Sequence, residues 1–377
     1  MPYWRLSSYY FFYFASLGAL IPYWGLYLKS LDFSAQQIGE LMAVVMATKI
    51  ISPNIWGWIA DHTGKRMAIV RLGSLLSILC FAAVFVNQTY FWLMAAMLLF
   101  SFFWNATLPQ FEATTLHHLG DAQHRYSSIR LWGSVGFIIA VAILGWALQT
   151  TDIAWLPWVI VVLFGFIWLS ALVVPEKSAG HLALDHESLS AVLKRPEVRS
   201  LLLACFLMQA GHGTYYTFYS IYMEGHGYSR TVIGQLWALG VAAEVGLFLV
   251  MHRLVPRFGL IPLLKASFII AAVRWMMIAS WPGELYLMLI AQILHAATFG
   301  IYHATAIALI YKYFPGMHQG KGQALYSSLS FGAGGAIGAL YSGYIWERVG
   351  SSEAFIIAAI VSVMGWYILM KNKAVID

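Results

Sequence analysis

Apolar positions fill the chain in twelve long runs, near residues 7–29, 38–60, 67–86, 90–115, 129–148, 155–174, 199–223, 232–251, 262–281, 284–313, 323–346 and 353–370. Each is close to the ~20 residues that cross a bilayer as a helix. The breaks are short and polar, such as Asn87-Gln88-Thr89 and Pro282-Gly283. A chain with no water around its backbone must satisfy its N–H and C=O groups internally, so each run predicts a transmembrane helix. The one long break lies between runs six and seven. It holds Lys177, Lys194 and Arg195, and its stretch Glu187–Leu193 has the pattern of a short amphipathic surface helix. The expected organisation is therefore a six-helix half at 1–174, a linker at 175–198 and a second six-helix half at 199–377.

The two halves are related. Shifted by 195 residues, the window Phe33–Lys49 meets Tyr228–Glu244 with six identities: Ser34/Ser229, Ile38/Ile233, Gly39/Gly234, Leu41/Leu236, Ala43/Ala238 and Ala47/Ala242. The same shift pairs Gly18 with Gly213, Tyr27 with Tyr222 and Gly64 with Gly259. A half-chain has been duplicated in the same direction. Duplicated helical halves are the usual construction of a membrane transporter that rocks around a site at the repeat interface. The fold class is all-α integral membrane, with twelve transmembrane helices in two pseudo-symmetric halves.

Composition agrees, with 60% hydrophobic and only 10% charged residues in 377, against about 25% charged in soluble domains. The net charge of +6 is spread over helix ends rather than gathered in a patch, which argues against nucleic acid. Cys80 and Cys205 both lie in apolar runs and form no disulfide framework or metal-binding spacing. No cleavable signal peptide is expected, since only five residues precede the first run. With the N-terminus inside, cytoplasmic loops and termini carry seventeen Lys and Arg residues, and the outer loops only Lys29, Arg230 and Arg348. That imbalance places both termini in the cytoplasm. Lys49, Glu112, Glu244 and Arg274 fall inside predicted spans, where a charge is costly unless paired or functional.

Between runs two and three stands Gly57-Trp-Ile-Ala-Asp61-His-Thr-Gly64-Lys65-Arg66. It matches G-x-x-x-D-x-x-G-[RK]-[RK], the loop signature of the major facilitator superfamily, which the chain resembles. Gly57 is expected to permit close helix contact and Gly64 a tight turn. Asp61 is expected to cap or pair with a neighbouring helix end. In the second copy only Gly259 survives, within Pro256-Arg257-Phe258-Gly259.

Run four contains Leu108-Pro109-Gln110-Phe111-Glu112 and run five opens Arg130-Leu-Trp-Gly133-Ser-Val-Gly136-Phe137. These resemble the lactose permease group of proton symporters, in which the matching acid and arginine contact the solute and a matching aromatic stacks on it. The resemblance implies those roles for Glu112, Arg130 and Phe137, although the group has tryptophan where Phe137 stands. A structural Glu112–Arg130 ion pair is the alternative. In the second half Glu244, Val273-Arg274-Trp275 and Gln292-Ile-Leu-His295 resemble the carboxylate, arginine and histidine of that group's proton-coupling machinery. Its further carboxylate, one turn past the histidine, is Thr298 here, and its lysine one turn before is Gln292. The proton would then fall to Glu244, a carboxyl among apolar groups and cations, or to His295, which titrates near neutrality unaided. A hydrogen bond between the two without titration is the remaining alternative.

Polar residues gather on single faces: Gln209, His212, Tyr216 and Tyr219 on run seven; Gln292, His295, Phe299 and His303 on run ten; Asn105, Pro109 and Glu112 on run four; Tyr9, Tyr13 and Ser16 on run one. In the superfamily these four helices line the central cavity, and His212 and Tyr216 join the expected solute site. Gly332, Gly334, Gly335 and Gly338 in run eleven suit close helix packing.

Longer matches run through both halves: 130–137, Tyr215-Tyr216, Gly227-Tyr228-Ser229, Val241-Ala-Ala-Glu244-Val245, Val273-Arg274-Trp275 and 292–295. They resemble the phenylpropionate permease family, which implies proton-linked uptake of 3-phenylpropionate or a similar aromatic acid across a bacterial inner membrane. The residues lean the same way. Three membrane cations (Lys49, Arg130, Arg274) face two acids (Glu112, Glu244), leaving one positive charge for a monovalent anion. Lys49, a point charge on a flexible stem, is the preferred carboxylate partner; snorkelling, or a pair with Glu244 or Glu112, is its alternative. A nucleoside or sugar:proton symporter is the rival reading, and a drug efflux carrier stands behind it. An enzyme would need a nucleophile–base pair or a metal cluster, and an ATP-driven pump a G-x-x-x-x-G-K-[ST] loop; neither is present. The expected partners are a small organic solute, protons and the lipid bilayer, with no cofactor or metal beyond the proton gradient, in a monomer.

Overall fold

The computed structural model describes residues 2–177, 189–315 and 319–371. Among them are twelve helical rods and no strand. The first six are α1 (Tyr3–Ser30), α2 (Ala35–Thr63), α3 (Arg66–Phe81, extended by a 3₁₀ turn to Phe85), α4 (Tyr90–Leu119), α5 (Tyr126–Thr150) and α6 (Leu156–Leu172). A short helix, α7 (Leu189–Lys194), precedes α8 (Pro196–Gly225), α9 (Arg230–Phe258) and α10 (Leu260–Ser280). The tenth rod is α11 (Leu285–Ile293) and α12 (Tyr302–Tyr313) joined by a π-helical segment, Ala296–Ile301. The eleventh is α13 (Gln319–Ser327) and α14 (Gly335–Arg348) around a second π segment, Ser328–Gly334. The last rod is α15 (Ser351–Lys371).

Every expected run is thus a helix, with ends displaced by a few residues. Of the expected surface helix, α7 covers the C-terminal part; Glu187 and Ser188 lie outside the described residues. Two rods, α8 and α13–α14, fall short of the apolar character of the other membrane spans, because polar side chains and glycines replace aliphatic ones there.

Local chemistry explains the helix ends, and the duplication repeats it. Ser34 caps α2 with a capping box: its hydroxyl accepts from Gln37 N–H, and the Gln37 side chain accepts from Ser34 N–H. Its repeat partner Ser229 accepts from Val232 N–H at the start of α9. Gly64 closes α2 in the left-handed region at φ 66°, and its partner Gly259 opens α10 at φ 80°, where a β-carbon would be strained.

The chain folds as two compact units, Met1–Leu182 with Ser229–Ala238, and Ala183–Tyr228 with Leu239–Asp377. In the first, α1 packs on α5 and α6, while α4 and α6 flank α3. In the second, α8 packs on α14 and α15, while α12 and α15 flank α10. The same crossings recur. A β-carbon on Gly136 would stand 2.2 Å from Phe11 O, and one on Gly338 2.2 Å from Ala210 O. Gly18 meets the α5 backbone at Phe137, and its repeat partner Gly213 meets the α14 backbone at Gly338. Glycine there lets two helix backbones touch.

Burial runs opposite to that of a water-soluble protein. Trp58, Leu79, Phe91, Trp146, Val162 and Leu249 are exposed, whereas Thr48, Asn105, Gln209, His212, Arg274 and Gln292 are buried. Lipid solvates the first set, and the polar set must find partners inside.

Candidate functional site

In the first unit, α4 and α5 bring Glu112 and Arg130 together, with Arg130 Nε 3.9 Å from Glu112 Oε1. This is ion-pair reach without a hydrogen bond. Tyr126 donates to the same carboxylate oxygen at 3.3 Å. The guanidinium lies 3.8 Å over the Phe14 ring and 5.6 Å from that of Tyr10, a cation–π arrangement of about 0.5–2 kcal/mol. Gly133 makes the room, because a β-carbon there would fall 2.6 Å from Arg130 Nη1 and 2.8 Å from Phe14. Both charged side chains remain 30% exposed.

Lys49 stands apart from this pair. Among the described residues its ammonium reaches only Met46 Sδ, at 3.7 Å. The neighbouring polar groups satisfy one another instead: Asn105 Nδ2 donates to Thr48 Oγ1 and to Val45 O, and Thr48 in turn reaches Ser101. The alternative pairing of Lys49 with Glu112 is not seen among the described residues, where Glu112 is held by Arg130 and Tyr126. Phe137 is buried on α5, its ring centroid 6.5 Å from that of Trp237. Tyr9 stacks on Phe111 at 3.7 Å and Tyr13 on Trp104 at 5.0 Å, an aromatic wall along α1 and α4.

The second unit gathers the other expected residues around Arg274, whose side chain is fully buried. Its Nε donates to Ala291 O at 2.8 Å, Nη1 to Thr298 Oγ1 at 3.3 Å and Nη2 to Gln292 Oε1 at 3.4 Å. The rings of Tyr215 and Trp275 lie 4.3 and 4.5 Å from the guanidinium carbon. Tyr215 also donates to Gln292 Oε1, at 2.7 Å. Among the described residues, every hydrogen-bond partner of this cation is neutral. Thr298 thus offers a hydroxyl where the lactose permease resemblance has a carboxylate.

Glu244 sits on α9 with Oε2 3.8 Å from His295 Nε2. His295 stacks on Phe299 at 5.5 Å, and Phe299 on His303 at 5.8 Å, a ladder spanning the π segment. His212 packs edge-on to Trp275 at 5.0 Å and lies 5.7 Å from Tyr216. Its Nδ1 is 2.9 Å from Met208 O; a carbonyl only accepts, so Nδ1 carries the hydrogen and Nε2 is left as an acceptor. Nε2 has no partner among the described residues. Arg274, His295, Glu244, His212 and Tyr216 therefore form one neighbourhood. Sequence reasoning passed over Tyr215 in favour of Tyr216; the Tyr215-Tyr216 doublet was the available signal.

At the loop between α2 and α3, Asp61 pairs with Arg66 at 2.6 Å, and Arg66 also donates to Gln110 of α4 at 2.7 Å. Asp61, in the last turn of α2, therefore pairs with the first residue of the neighbouring α3, one of the two expected arrangements. Lys65 is exposed. Gly57 departs from expectation: a β-carbon there would meet only Gln110 Nε2, at 3.6 Å, an ordinary contact. No close helix crossing requires that glycine.

A bundle of apolar helices with this loop, and charges held inside it, defines a membrane transporter of the major facilitator type. The model of the MFS_1 like family matches residues 3–357, and the chain belongs to that family. It is 28% identical over 359 residues to the "Probable 3-phenylpropionic acid transporter" of Escherichia coli (strain K12), covering 93% of each chain. It is 27% identical over 370 residues to the maltose permease of Geobacillus stearothermophilus, covering 96% of this chain and 92% of that one. In fold it is similar to the crystal structure of the nucleoside transporter NupG, with a TM-score of 0.84 and 16% identity over 98% of this chain and 99% of that one. The protein is a multi-pass membrane transporter of a small solute and not an enzyme.

Proposed function

We propose that the protein is a proton-coupled symporter that takes up an aromatic monocarboxylate such as 3-phenylpropionate by alternating access. It works in a bacterial inner membrane as a monomer with both termini cytoplasmic, and draws on the proton gradient without a cofactor. The carrying observation is the charge balance. Glu112 is engaged by Arg130 and Tyr126, and Glu244 by His295. Among the described residues, Lys49 and Arg274 have no carboxylate as a partner. Unbalanced positive charge favours an anionic solute over a neutral one. Lys49 is the carboxylate partner in this reading, Phe137, His212 and Tyr216 supply ring contacts, and Glu112–Arg130 orients the solute. Glu244 exchanges the proton, with His295 as its neighbour. The name of the similar E. coli protein supports the solute class.

A nucleoside or sugar:proton symporter is the second reading. It is favoured by the part-exposed Glu112–Arg130 pair, which suits hydroxyl groups, and by the resemblance to a maltose permease. Uptake into proteoliposomes separates the two. Labelled aromatic acids, nucleosides and sugars are compared with and without an inward proton gradient. Acid-stimulated accumulation of the carboxylate, lost in Glu244→Gln, is the expected result. Gradient-independent flux removes the coupling, and uptake of only neutral solutes removes the substrate class.

A further inference from the structure

We propose that the second unit contains a binding site for a monovalent anion, built on the Arg274 guanidinium and the amide of Gln292. The site goes beyond the transport reading, since it requires only the anion and this unit.

A fully buried guanidinium carries five N–H donors and one charge. Here one donor goes to a main-chain carbonyl, one to a hydroxyl and one to an amide oxygen. The Tyr215 hydroxyl takes a further one, so among the described residues one donor is left over. Tyr215 and Trp275 cover the cation with π faces, which reduces the cost of burial without supplying a negative charge. Taking an ion out of water costs several kcal/mol even after relaxation. Neutral partners recover only part of that, and a bound anion would recover more.

Gln292 identifies the place. Its Oε1 already accepts from Tyr215 and Arg274, and its buried Nε2 has no partner among the described residues. An amide N–H₂ beside a guanidinium, both desolvated and with the Tyr219 hydroxyl next to the amide, makes a donor-rich receptor. Glu244 does not fill it: its carboxylate faces His295 Nε2 at 3.8 Å. Thr298, 3.3 Å from Nη1, presents only a hydroxyl, which its own geometry directs to His295 O. The matching ligand carries one negative charge, either a halide or the carboxylate group of an organic acid. Either accepts from the remaining guanidinium N–H and from the Gln292 amide N–H together, a charge-assisted contact.

The test is to supply the missing charge from within. The full-length protein is purified in sulfate buffer, and its thermal midpoint is followed against sodium chloride and, separately, sodium benzoate. A saturable rise with either anion is expected of the unmodified chain, since a ligand bound to the folded state stabilises it by mass action. A response to chloride alone identifies a halide site; a response to benzoate that Thr298→Asp removes identifies a carboxylate site here, and one that survives Thr298→Asp overturns it in favour of the Lys49 site. Thr298→Asp places an internal carboxylate at Nη1 and should weaken the apparent affinity at least tenfold, while neutral Thr298→Asn retains it. If Thr298→Asp does not fold, Gln292→Glu puts the charge at Nη2 and is read the same way. No rise with either anion, or equal responses in the acidic and neutral variants, overturns the site. Proton-driven uptake measured on the same preparation bears on the transport reading alone.

Discussion

The Gly338→Ala substitution adds one methyl group where α14 crosses α8. That carbon would lie 2.2 Å from Ala210 O, 2.8 Å from Gly213 Cα and 3.0 Å from Ala210 C. All three are backbone atoms, so no side-chain rotation relieves the clash. Contact between heavy atoms is favourable near ~3.5 Å, so the helices must part by roughly 1 Å. Overpacking of this kind costs about 1–3 kcal/mol. Alanine meanwhile gains about 1 kcal/mol of helix propensity over glycine. The clean comparison is Gly246→Ala, where a β-carbon meets nothing within 4 Å and only the propensity gain remains. The propensity gain is common to both, so the two variants should differ by the overpacking cost, about 1–3 kcal/mol. Cys205 provides the assay, because it is fully buried on α8 itself and becomes accessible to a thiol-reactive fluorophore only when that helix opens. With Cys80 replaced by serine, Gly338→Ala should label at a distinctly lower temperature than Gly246→Ala. Gly136→Ala tests the repeated crossing, its β-carbon 2.2 Å from Phe11 O. If Gly338→Ala melts at or above Gly246→Ala, the backbone-to-backbone crossing is refuted.

Other substitutions address the chemistry. Gly133→Ala pushes the Arg130 guanidinium off Phe14, where its β-carbon would lie 2.6 Å from Nη1; it should raise KM several-fold with a small change in melting temperature, since a flexible side chain yields. Lys49→Ala should raise KM for an aromatic acid by about tenfold, the equivalent of 1.4 kcal/mol; unchanged affinity sinks the role of Lys49. Asp61→Asn removes the pair with Arg66, but Asp61 is 65% exposed, so stability should fall by no more than about 1 kcal/mol. Its expected effect is a slower transport rate at unchanged KM, and a change confined to KM contradicts it.

Much of the fold was legible because each level of the sequence agreed with the next. Apolar runs marked the rods, Ser34 and Ser229 marked helix starts, and Gly64 and Gly259 marked turns. The close-packing role of Gly334 and Gly338 was legible from their spacing, and both meet α8 backbone. The π segments at Ala296–Ile301 and Ser328–Gly334 were not. A single widened turn leaves apolar periodicity nearly intact, so nothing in composition marks it. In the site, the Glu112–Arg130 and Glu244–His295 neighbourhoods were readable as charges inside apolar runs. The partners of Arg274 were harder, since main-chain Ala291 O and the side chains of Tyr215 and Gln292 are ordinary residues until the helices place them. Gly57 shows the converse error: a motif position was given a packing role that its surroundings do not require.

The duplication separates two kinds of position, and the separation can be measured. Where the copies agree, at Gly18/Gly213, Ser34/Ser229 and Gly64/Gly259, the residue serves a backbone: a crossing, a cap or a left-handed turn. Where they differ, at Lys49/Glu244 and Asp61/Pro256, at least one copy carries a charged side chain, Asp61 against Arg66 and Glu244 against His295. A backbone requirement is the same in both copies because both build the same helix pairs. A charge requirement need not be, since under the proposed symport a solute and a proton would call for different chemistry. Substitutions at the agreeing positions should therefore lower the melting temperature in either copy alike. Those at the differing positions should alter uptake in ways specific to one copy, at nearly constant melting temperature. Measuring both quantities across Gly18→Ala, Gly213→Ala, Lys49→Ala and Glu244→Gln decides it: glycine variants that leave stability untouched, or charge variants that unfold the protein, would show that the copies do not divide scaffold from chemistry.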